Sequence, residues 1–348
     1  MTYSLIRKIL FKFDPEGMHH LTLQLIGLAG NIPPIATILR SIYYAPPQPV
    51  QLFGLTFPNP VGLAAGYDKD ATAWRGLACL GFGHIEVGTV TLLPQPGNPK
   101  PRLFRIPQAQ AVINRMGFPG QGAQFAAHQL NRPRPSGFVL GVNLGKNKNT
   151  PNEEAARDYL ALMEIFTPLA DYLAINVSSP NTIGLRQLQA RQALDELLSQ
   201  LVVKRAMLSS KYKYTPLLVK LAPDLTDPEL DDALDVLLAN QIDGVIATNT
   251  TIQRDGLFPV EVANDPTVKE SGGLSGAPLF PLSLRMVQKI VQRSGSQLPV
   301  IGVGGISNCD QAKQMLDAGA QLIQIYTGLI YKGPSFVKEI LQSLSRSH

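Results

Sequence analysis

Apolar positions in the first 45 residues recur at helical spacing. Leu5, Ile6, Ile9, Leu10 and Phe13 form one stripe. Asp14-Pro15-Glu16 reads as a cap followed by proline at the first helical position, and Leu21, Leu25 and Leu28 carry the stripe on to Gly30. This pattern predicts a helical hairpin. After Pro33-Pro34, Ile35, Ile38, Leu39 and Ile42 predict a third short helix, ended by Pro46-Pro47. Such a unit is too small to bury both of its faces alone. Arg7, Lys8, Lys12 and Arg40 outnumber Asp14 and Glu16 here. An apolar stripe with a basic flank fits packing on a larger domain, and it also fits contact with an anionic membrane surface.

From residue 60 the period changes. Short apolar runs without strict alternation stand at 61–65, 84–88, 138–144, 172–177, 217–222, 244–249, 299–304 and 322–327. Helical stretches follow them near 70–80, 120–130, 153–168, 188–209, 227–240, 282–293, 309–318 and 334–345. Continuous apolar strands are expected where a parallel sheet is covered on both faces. Eight such units fit an α/β fold of the (β/α)8 TIM-barrel type, whose usual size is about 250 residues. An open doubly wound sheet is the alternative, but Gly62 and Gly66 lack the spacing of a dinucleotide fingerprint. The expected organisation is a helical unit over 1–45 and a barrel over 46–348. A hairpin over 51–57 is expected to close the barrel bottom, and 90–119 has room for a hairpin and an active-site loop.

Composition narrows the class. Of 348 residues, 45% are hydrophobic and only 16% charged, which excludes a disordered adaptor. Cys79 and Cys309 lie far apart with no metal-ligand spacing, which excludes a disulfide framework and a cysteine-based zinc module. No run approaches the roughly 18 apolar residues of a membrane span, and no cleavage-site pattern follows the opening segment. The net charge of +5 is spread along the chain without a base-reading motif, so no nucleic-acid partner is expected.

In a barrel the chemistry gathers at the C-terminal ends of the strands. Those ends here carry Ala65-Gly66-Tyr67-Asp68-Lys69, Thr89, Asn143 with Lys146 beyond it, Asn176 with Ser178-Ser179-Pro180-Asn181-Thr182, Lys220, Thr248-Asn249-Thr250, Gly304-Gly305 and Tyr326-Thr327-Gly328. Singly, each is an ordinary turn residue. Together they converge on one mouth, and buried polar groups cost about 1–3 kcal/mol each when unpaired. Glycine-bearing ends on the seventh and eighth strands are where barrels hold a phosphate. Lys220 places a positive charge suited to a flavin that becomes anionic on reduction, while Asn143, Asn176 and Thr248 suit its ring and ribityl groups. A Schiff base on Lys220, in an aldolase or a pyridoxal enzyme, is the competing reading. Asn114, Asn176, Asn181 and Asn249 both donate and accept, which suits a uracil-like or hydantoin-like ring, and Lys69 is placed to attract an attached carboxylate. No Asp/Glu/His cluster suggests a metal.

The segments LAAGYDKD (63–70), IEVGTVTLLPQPGNPKPRLFR (85–105), NRMGF (114–118), GVNLGKNK (141–148), INVSSPNTIGLR (175–186), VKLAPD (219–224), ATNTT (247–251), GGLSG (272–276), IGVGGI (301–306) and QIYTG (324–328) resemble the dihydroorotate dehydrogenases over nearly the whole chain. The resemblance is to class 2, the quinone-dependent, membrane-associated branch, through the serine-bearing SSPNT loop and the N-terminal helices. The other class has cysteine at the base position and lacks that extension. Residues 255–271 carry none of these motifs.

The resemblance implies FMN as cofactor, oxidation of dihydroorotate to orotate in pyrimidine synthesis, and reoxidation by a membrane quinone. FMN contacts would come from Ala65, Gly66, Tyr67, Asp68, Lys69, Thr89, Asn143, Asn176, Lys220, Thr248, Gly276, Gly305, Tyr326 and Thr327. Substrate contacts would come from Lys69, Asn114, Arg115, Met116, Gly117, Phe118, Asn176, Asn181, Asn249 and Thr250. Ser179 would be the base that removes the C5 proton, activated by a local network for which Thr182 and water are the candidates, with Ser178 a turn hydroxyl. His19, Arg105 and Tyr326 would flank a quinone passage between the N-terminal helices and the flavin. Each also has a plainer reading, His19 as a polar helix residue and Arg105 as an anchor of segment 99–105. A soluble acceptor, fumarate or NAD, is the alternative to quinone. The expected protein is a monomer, peripheral at the cytoplasmic face of a bacterial plasma membrane through its N-terminal helices.

Overall fold

The computed structural model describes residues 2–346. Three helices open the chain, at Thr2–Leu10, Pro15–Asn31 and Pro33–Tyr43. The Asp14 carboxylate accepts the Gly17 N–H at 2.7 Å, and Pro15 and Pro33 start their helices at positions that need no amide donor. Helix Pro15–Asn31 lies directly on Trp74–Leu77: a Cβ at Gly30 would stand 2.2 Å from the Gly76 nitrogen. Its buried Glu16 pairs with Arg102 at 2.8 Å and Lys100 at 3.4 Å. The opposite faces of the three helices point outward, with Leu5, Ile9, Leu25, Leu28 and Ile38 each more than half exposed. No single described helix is long and apolar enough to cross a membrane. Pro15–Asn31 and Pro33–Tyr43 reach that length only together, bent by 106°.

Eight parallel strands close into a barrel: Val61–Leu63, His84–Val90, Val139–Leu144, Tyr172–Asn176, Leu217–Leu221, Gly244–Ala247, Val300–Val303 and Leu322–Ile325, the last pairing with the first. Alternation along each strand divides the apolar residues into two sets. Leu63, Ile85, Leu140, Val142, Leu173 and Ile175 face the surrounding helices. Val139, Tyr172, Leu218, Ile246, Ile301 and Leu322 fill the interior. Small residues make room for large ones there, since a Cβ at Gly62 would stand 2.1 Å from the His84 ring and one at Gly141 2.1 Å from the Tyr172 ring. The hairpin Val50–Leu52 with Leu55–Phe57, turning through left-handed Phe53 and Gly54, plugs the bottom with Leu52, Phe53 and Phe57.

Helices cover the outside at Trp74–Leu77, Gly122–Leu130, Ala155–Phe166, Arg191–Ser209, Asp227–Ala239, Phe280–Ser294, Cys309–Asp317 and Phe336–Ser345, with a short Thr327–Lys332 before the last. The stretch expected near 70–80 is only one turn of α-helix, tightened to 3₁₀ over Ala78–Leu80 and stopped by left-handed Gly81. The hairpin expected within 90–119 is Leu103–Ile106 with Ala111–Asn114. A third strand, Gly273–Gly276, joins it antiparallel. Residues 255–271 cover this small sheet: Leu257, Phe258, Val262 and Val268 pack on Phe104, Ile106 and Ile113.

Candidate active site

A cavity opens at the C-terminal end of the barrel, with about 960 Å³ of empty space including its mouth. The first strand delivers Ala65, Gly66 and Lys69 to its wall, the second Thr89, the fourth Asn176, Ser179 and Asn181, the fifth Lys220 and the sixth Thr248, Asn249 and Thr250. The seventh and eighth bring Gly305, Tyr326 and Thr327, and the small sheet closes the remaining side with Asn114, Met116, Gly117, Phe118 and Gly276. The peptide bonds preceding Thr89 and Thr248 are cis.

The amides form a connected set. Asn176 donates to the Thr89 hydroxyl at 2.9 Å and to Asn143 Oδ1 at 3.1 Å. Asn249 donates to Ser178 Oγ at 2.9 Å, and Asn181 to Asn114 Oδ1 at 3.0 Å. Ser178 therefore ties two strand exits together, through Asn176 and Asn249, and is more than a turn hydroxyl. Ser179 faces the cavity, and its Oγ accepts the Asn181 N–H at 3.2 Å. Thr182 makes no direct hydrogen bond to Ser179: its hydroxyl is buried without a protein partner, and the donor to Ser179 Oγ is the Asn181 backbone. Arg186 fixes the root of the 178–187 loop, donating to the Ser178 and Thr250 carbonyls and pairing with Asp224 at 2.7 Å. Ile183, on the same loop, is 86% exposed.

Two lysines provide the positive charge. Lys69 Nζ donates to the Gly66 carbonyl at 2.6 Å, and burial pushes its pKa down to about 8. Lys220, inside the barrel, is lowered by burial against the opposing pull of Glu86, 4.0 Å away. Lys146 is a different case, buried and bound to the Thr150 carbonyl at 2.7 Å. Gly276 and Gly305 have positive φ of 97° and 78°. A Cβ there would stand 2.2 Å from the Gln110 carbonyl and 2.3 Å from the Phe280 nitrogen, so only glycine lets the wall approach its neighbours and leave the backbone uncovered.

Four expected contacts lie off the cavity surface, the first of them Tyr67, which lines a second cavity instead. Asp68 accepts the Thr72 and Ala73 amides at 2.8 Å each and serves as a turn cap. Arg115 is drawn to Glu270 at 2.6 Å and lies over the Phe104 ring. Asn143 sits beneath Thr89 and Asn176, which it orients through its Oδ1. Sequence reasoning passed over Glu86 and Gln324 inside the barrel and Ser275, whose hydroxyl lies 2.9 Å from that of Thr327. Glu86 carries a legible signal, an acid within a short strand whose every residue is buried.

A second cavity lies between the N-terminal helices and the barrel. It is lined by Tyr3, Phe11, Met18, His19, Tyr67 and Arg105 among others, and shares Tyr326 with the first. His19 packs edge-on against Tyr67 with ring centres 5.1 Å apart, and Tyr67 packs on Tyr326 at 5.5 Å. Burial, with Lys69 nearby, pushes the His19 pKa down to about 3, so the imidazole is neutral at physiological pH. Arg105 lies 4.5 Å over the Phe11 ring and donates to the Leu10 and Phe13 carbonyls, anchoring the first helix rather than its own segment.

Residues 49–347 match the family model for dihydroorotate dehydrogenase. The chain is 47% identical to a dihydroorotate dehydrogenase (quinone) of Shewanella sp. strain ANA-3, covering 99% of each chain. It is 48% identical to one from Thiobacillus denitrificans, covering 99% of this chain and all of that one. Among solved structures, a DHODH from Eimeria tenella in complex with ferulenol is 38% identical with a TM-score of 0.86, covering 96% of this chain and 91% of that one. A barrel with this polar mouth, matched from end to end by these relatives, belongs to the dihydroorotate dehydrogenase family.

Proposed function

We propose that the chain oxidises dihydroorotate to orotate in pyrimidine synthesis, with FMN as cofactor and a membrane quinone as final acceptor. The observation that carries this reading is that Tyr326 lines two neighbouring cavities, one with Ser179 and Lys69 on its wall, the other largely apolar and bordered by the N-terminal helices. The donor set fits FMN: a buried cation at Lys220, oriented amides, and bare glycine backbone at Gly276 and Gly305 beside Thr327. When bound, FMN supplies the acceptor for the hydride that leaves C6 of the substrate.

The side chains do the rest. Lys69 binds the substrate carboxylate with a charge-assisted hydrogen bond. Asn114, Asn176, Asn181 and Asn249 hold the ring by exchanging partners within their own network for the ring's N–H and C=O groups. Ser179 Oγ receives the proton from C5 as its own hydroxyl proton passes to a water in the cavity, and the Asn181 N–H aims one side of that oxygen. Loop 178–187, rooted by Arg186, covers the ring and excludes water. His19, Arg105 and Tyr326 border the path by which quinone reaches the cofactor.

Residues 1–45 form the unit that meets an anionic membrane, and the protein sits as a monomer on the cytoplasmic face of a bacterial plasma membrane. Supporting this are outward leucines and isoleucines beside Arg7, Lys8, Lys12 and Arg40. The decisive experiment is the visible spectrum of purified protein before and after anaerobic dihydroorotate. Bleaching of bound flavin is expected, and a colourless protein with a borohydride-trappable lysine would replace this reading by the aldolase one. Substituting His19 or Arg105 is expected to slow reoxidation by quinone more than flavin reduction; equal slowing of both would remove them from the passage.

A further inference from the structure

Barrel interiors of this kind are filled by apolar layers. Here one layer is polar and centres on a single carboxylate. Glu86, 1% exposed on the second strand, accepts from Asn143 Nδ2 at 2.8 Å, from the Tyr172 hydroxyl at 3.1 Å and from Gln324 Nε2 at 3.0 Å. Its fourth neighbour is Lys220 Nζ at 4.0 Å. Donors thus converge on it from the third, fourth, fifth and eighth strands. Glu86 does not line the cavity, but Lys220 and Gln324 do.

We infer that Glu86 is a positioning residue for the cofactor site: it holds Lys220 as an ammonium at the cavity floor and turns the amide oxygens of Asn143 and Gln324 away from itself, toward the groups above. The inference rests on the FMN reading given above. Two observations support it. Because Glu86 takes the nitrogen of each amide, Asn143 Oδ1 is left to accept from Thr89 at 2.5 Å and from Asn176 at 3.1 Å, which fixes those two wall residues in turn. Gln324 Oε1 is left buried with no hydrogen-bond partner, on a residue that lines the cavity. A buried acceptor without a donor costs about 1–3 kcal/mol, and an N–H of a bound ring would satisfy it.

The charge argument runs in parallel. Burial works to deprotonate Lys220, and Glu86 is the group that opposes it. The other titratable groups inside this part of the barrel supply no charge: Tyr172 is held protonated by burial and by Glu86, and His84, two residues below Glu86, has its pKa pushed to about 3. Without the carboxylate, Lys220 becomes a neutral amine at a lower pH. The site then loses the cation that favours an electron-rich cofactor.

Glu86→Gln tests this because it keeps the shape and removes the charge. One amide oxygen cannot accept from three donors, so Asn143 or Gln324 must turn. The measurement is the midpoint potential of bound flavin in wild type and variant across the pH range in which both stay folded and hold flavin. The variant curve is expected to break downward at a lower pH than that of wild type and end at least tenfold less favourable to reduction, about 30 mV for a two-electron couple. A curve that superimposes on wild type, or lies above it throughout, overturns the role. Wild-type protein that holds no flavin would instead sink the FMN reading itself.

Should Glu86→Gln emerge without flavin, the pairing is read from thermal midpoints of Lys220→Met and of Glu86→Gln/Lys220→Met. Coupling predicts that the double variant is more stable than Lys220→Met alone, because the single change strands a buried charge. Simple addition of the two losses would overturn the inference.

Discussion

At the barrel mouth, polar groups are buried and tied to one another; on the N-terminal helices, apolar groups are exposed and tied to nothing. Ser178, Asn176 and Lys220 are each 5% exposed or less, while Leu5, Leu25 and Leu28 exceed 55%. Each arrangement runs against the usual sorting of side chains by polarity. Buried amides and charges are stable here because they satisfy one another and are kept for a ligand of the same character. Exposed leucines are a cost in water alone and a gain against an apolar surface. The comparison separates a region that buries polar groups from one that exposes apolar groups, and Tyr326 lines the cavities of both.

The largest expected effect falls on the polar side. Ser179→Ala should keep its flavin and lose about 10²–10⁴-fold in the rate of flavin reduction by dihydroorotate, the usual contribution of a positioned base. Stopped-flow absorbance reads this directly, and an unchanged rate would take the chemistry away from Ser179. Next comes the joint between the regions. Glu16→Ala leaves Arg102 buried without its carboxylate and should cost about 3–5 kcal/mol in urea unfolding. Burial pushes the Glu16 pKa up, but the hydrogen bonds and charges of Arg102 and Lys100 outweigh it, and the folded value lies below the ordinary one. The pair's contribution is therefore present above the ordinary glutamate pKa and is lost as pH falls through the depressed value. A loss under 1 kcal/mol would mean that the helices are held by Gly27 and Gly30 packing instead.

How far each region could be read from sequence follows from the range of its interactions. The eight barrel strands announce themselves because both faces are largely apolar within a window of about six residues, as in LLVKLA and YLAINV. Gly273–Gly276 does not: two glycines and a serine make no strand pattern, and the segment is extended because Ala111–Asn114 offers it an open edge. Thr327–Lys332 is hidden by its brevity, six residues broken off by Gly333. At the site, glycines and amides at strand exits are legible locally. Glu86 is not understood locally, since its partners Asn143, Tyr172 and Gln324 lie 57, 86 and 238 residues away. Closeness in sequence likewise suggested Thr182 as a direct partner of Ser179, and no direct hydrogen bond joins the two hydroxyls, Thr182 Oγ being buried without a partner.

A smaller effect sharpens the electrostatic side. Lys69→Ala removes one charge-assisted bond to the substrate carboxylate, worth about 1.5–3 kcal/mol, and should weaken dihydroorotate binding roughly 10- to 100-fold while leaving flavin bound. Because Lys69 gives up its proton near pH 8, wild-type KM should rise above that pH as the ammonium is lost. The variant should show no such rise, and a KM profile shared by both proteins would place the carboxylate elsewhere.

The smallest effect per residue belongs to the apolar face. Leu25 and Leu28 are 57% and 59% exposed, so replacing either with serine removes little from the folded core. Thermal stability should stay within about 0.5 kcal/mol of wild type. Against a bilayer the same change withholds part of a leucine side chain from burial, about 1 kcal/mol, or roughly fivefold in partitioning. Flotation with anionic liposomes should therefore fall several-fold for each leucine and multiply for the pair, with flavin reduction by dihydroorotate unchanged. Equal flotation of wild type and the double variant would show that these leucines do not enter the lipid. Loss of dihydroorotate-driven reduction in the same variant would show instead that the two regions are not separable, and that the outer face of the helices helps to shape the polar mouth through Tyr67 and Tyr326.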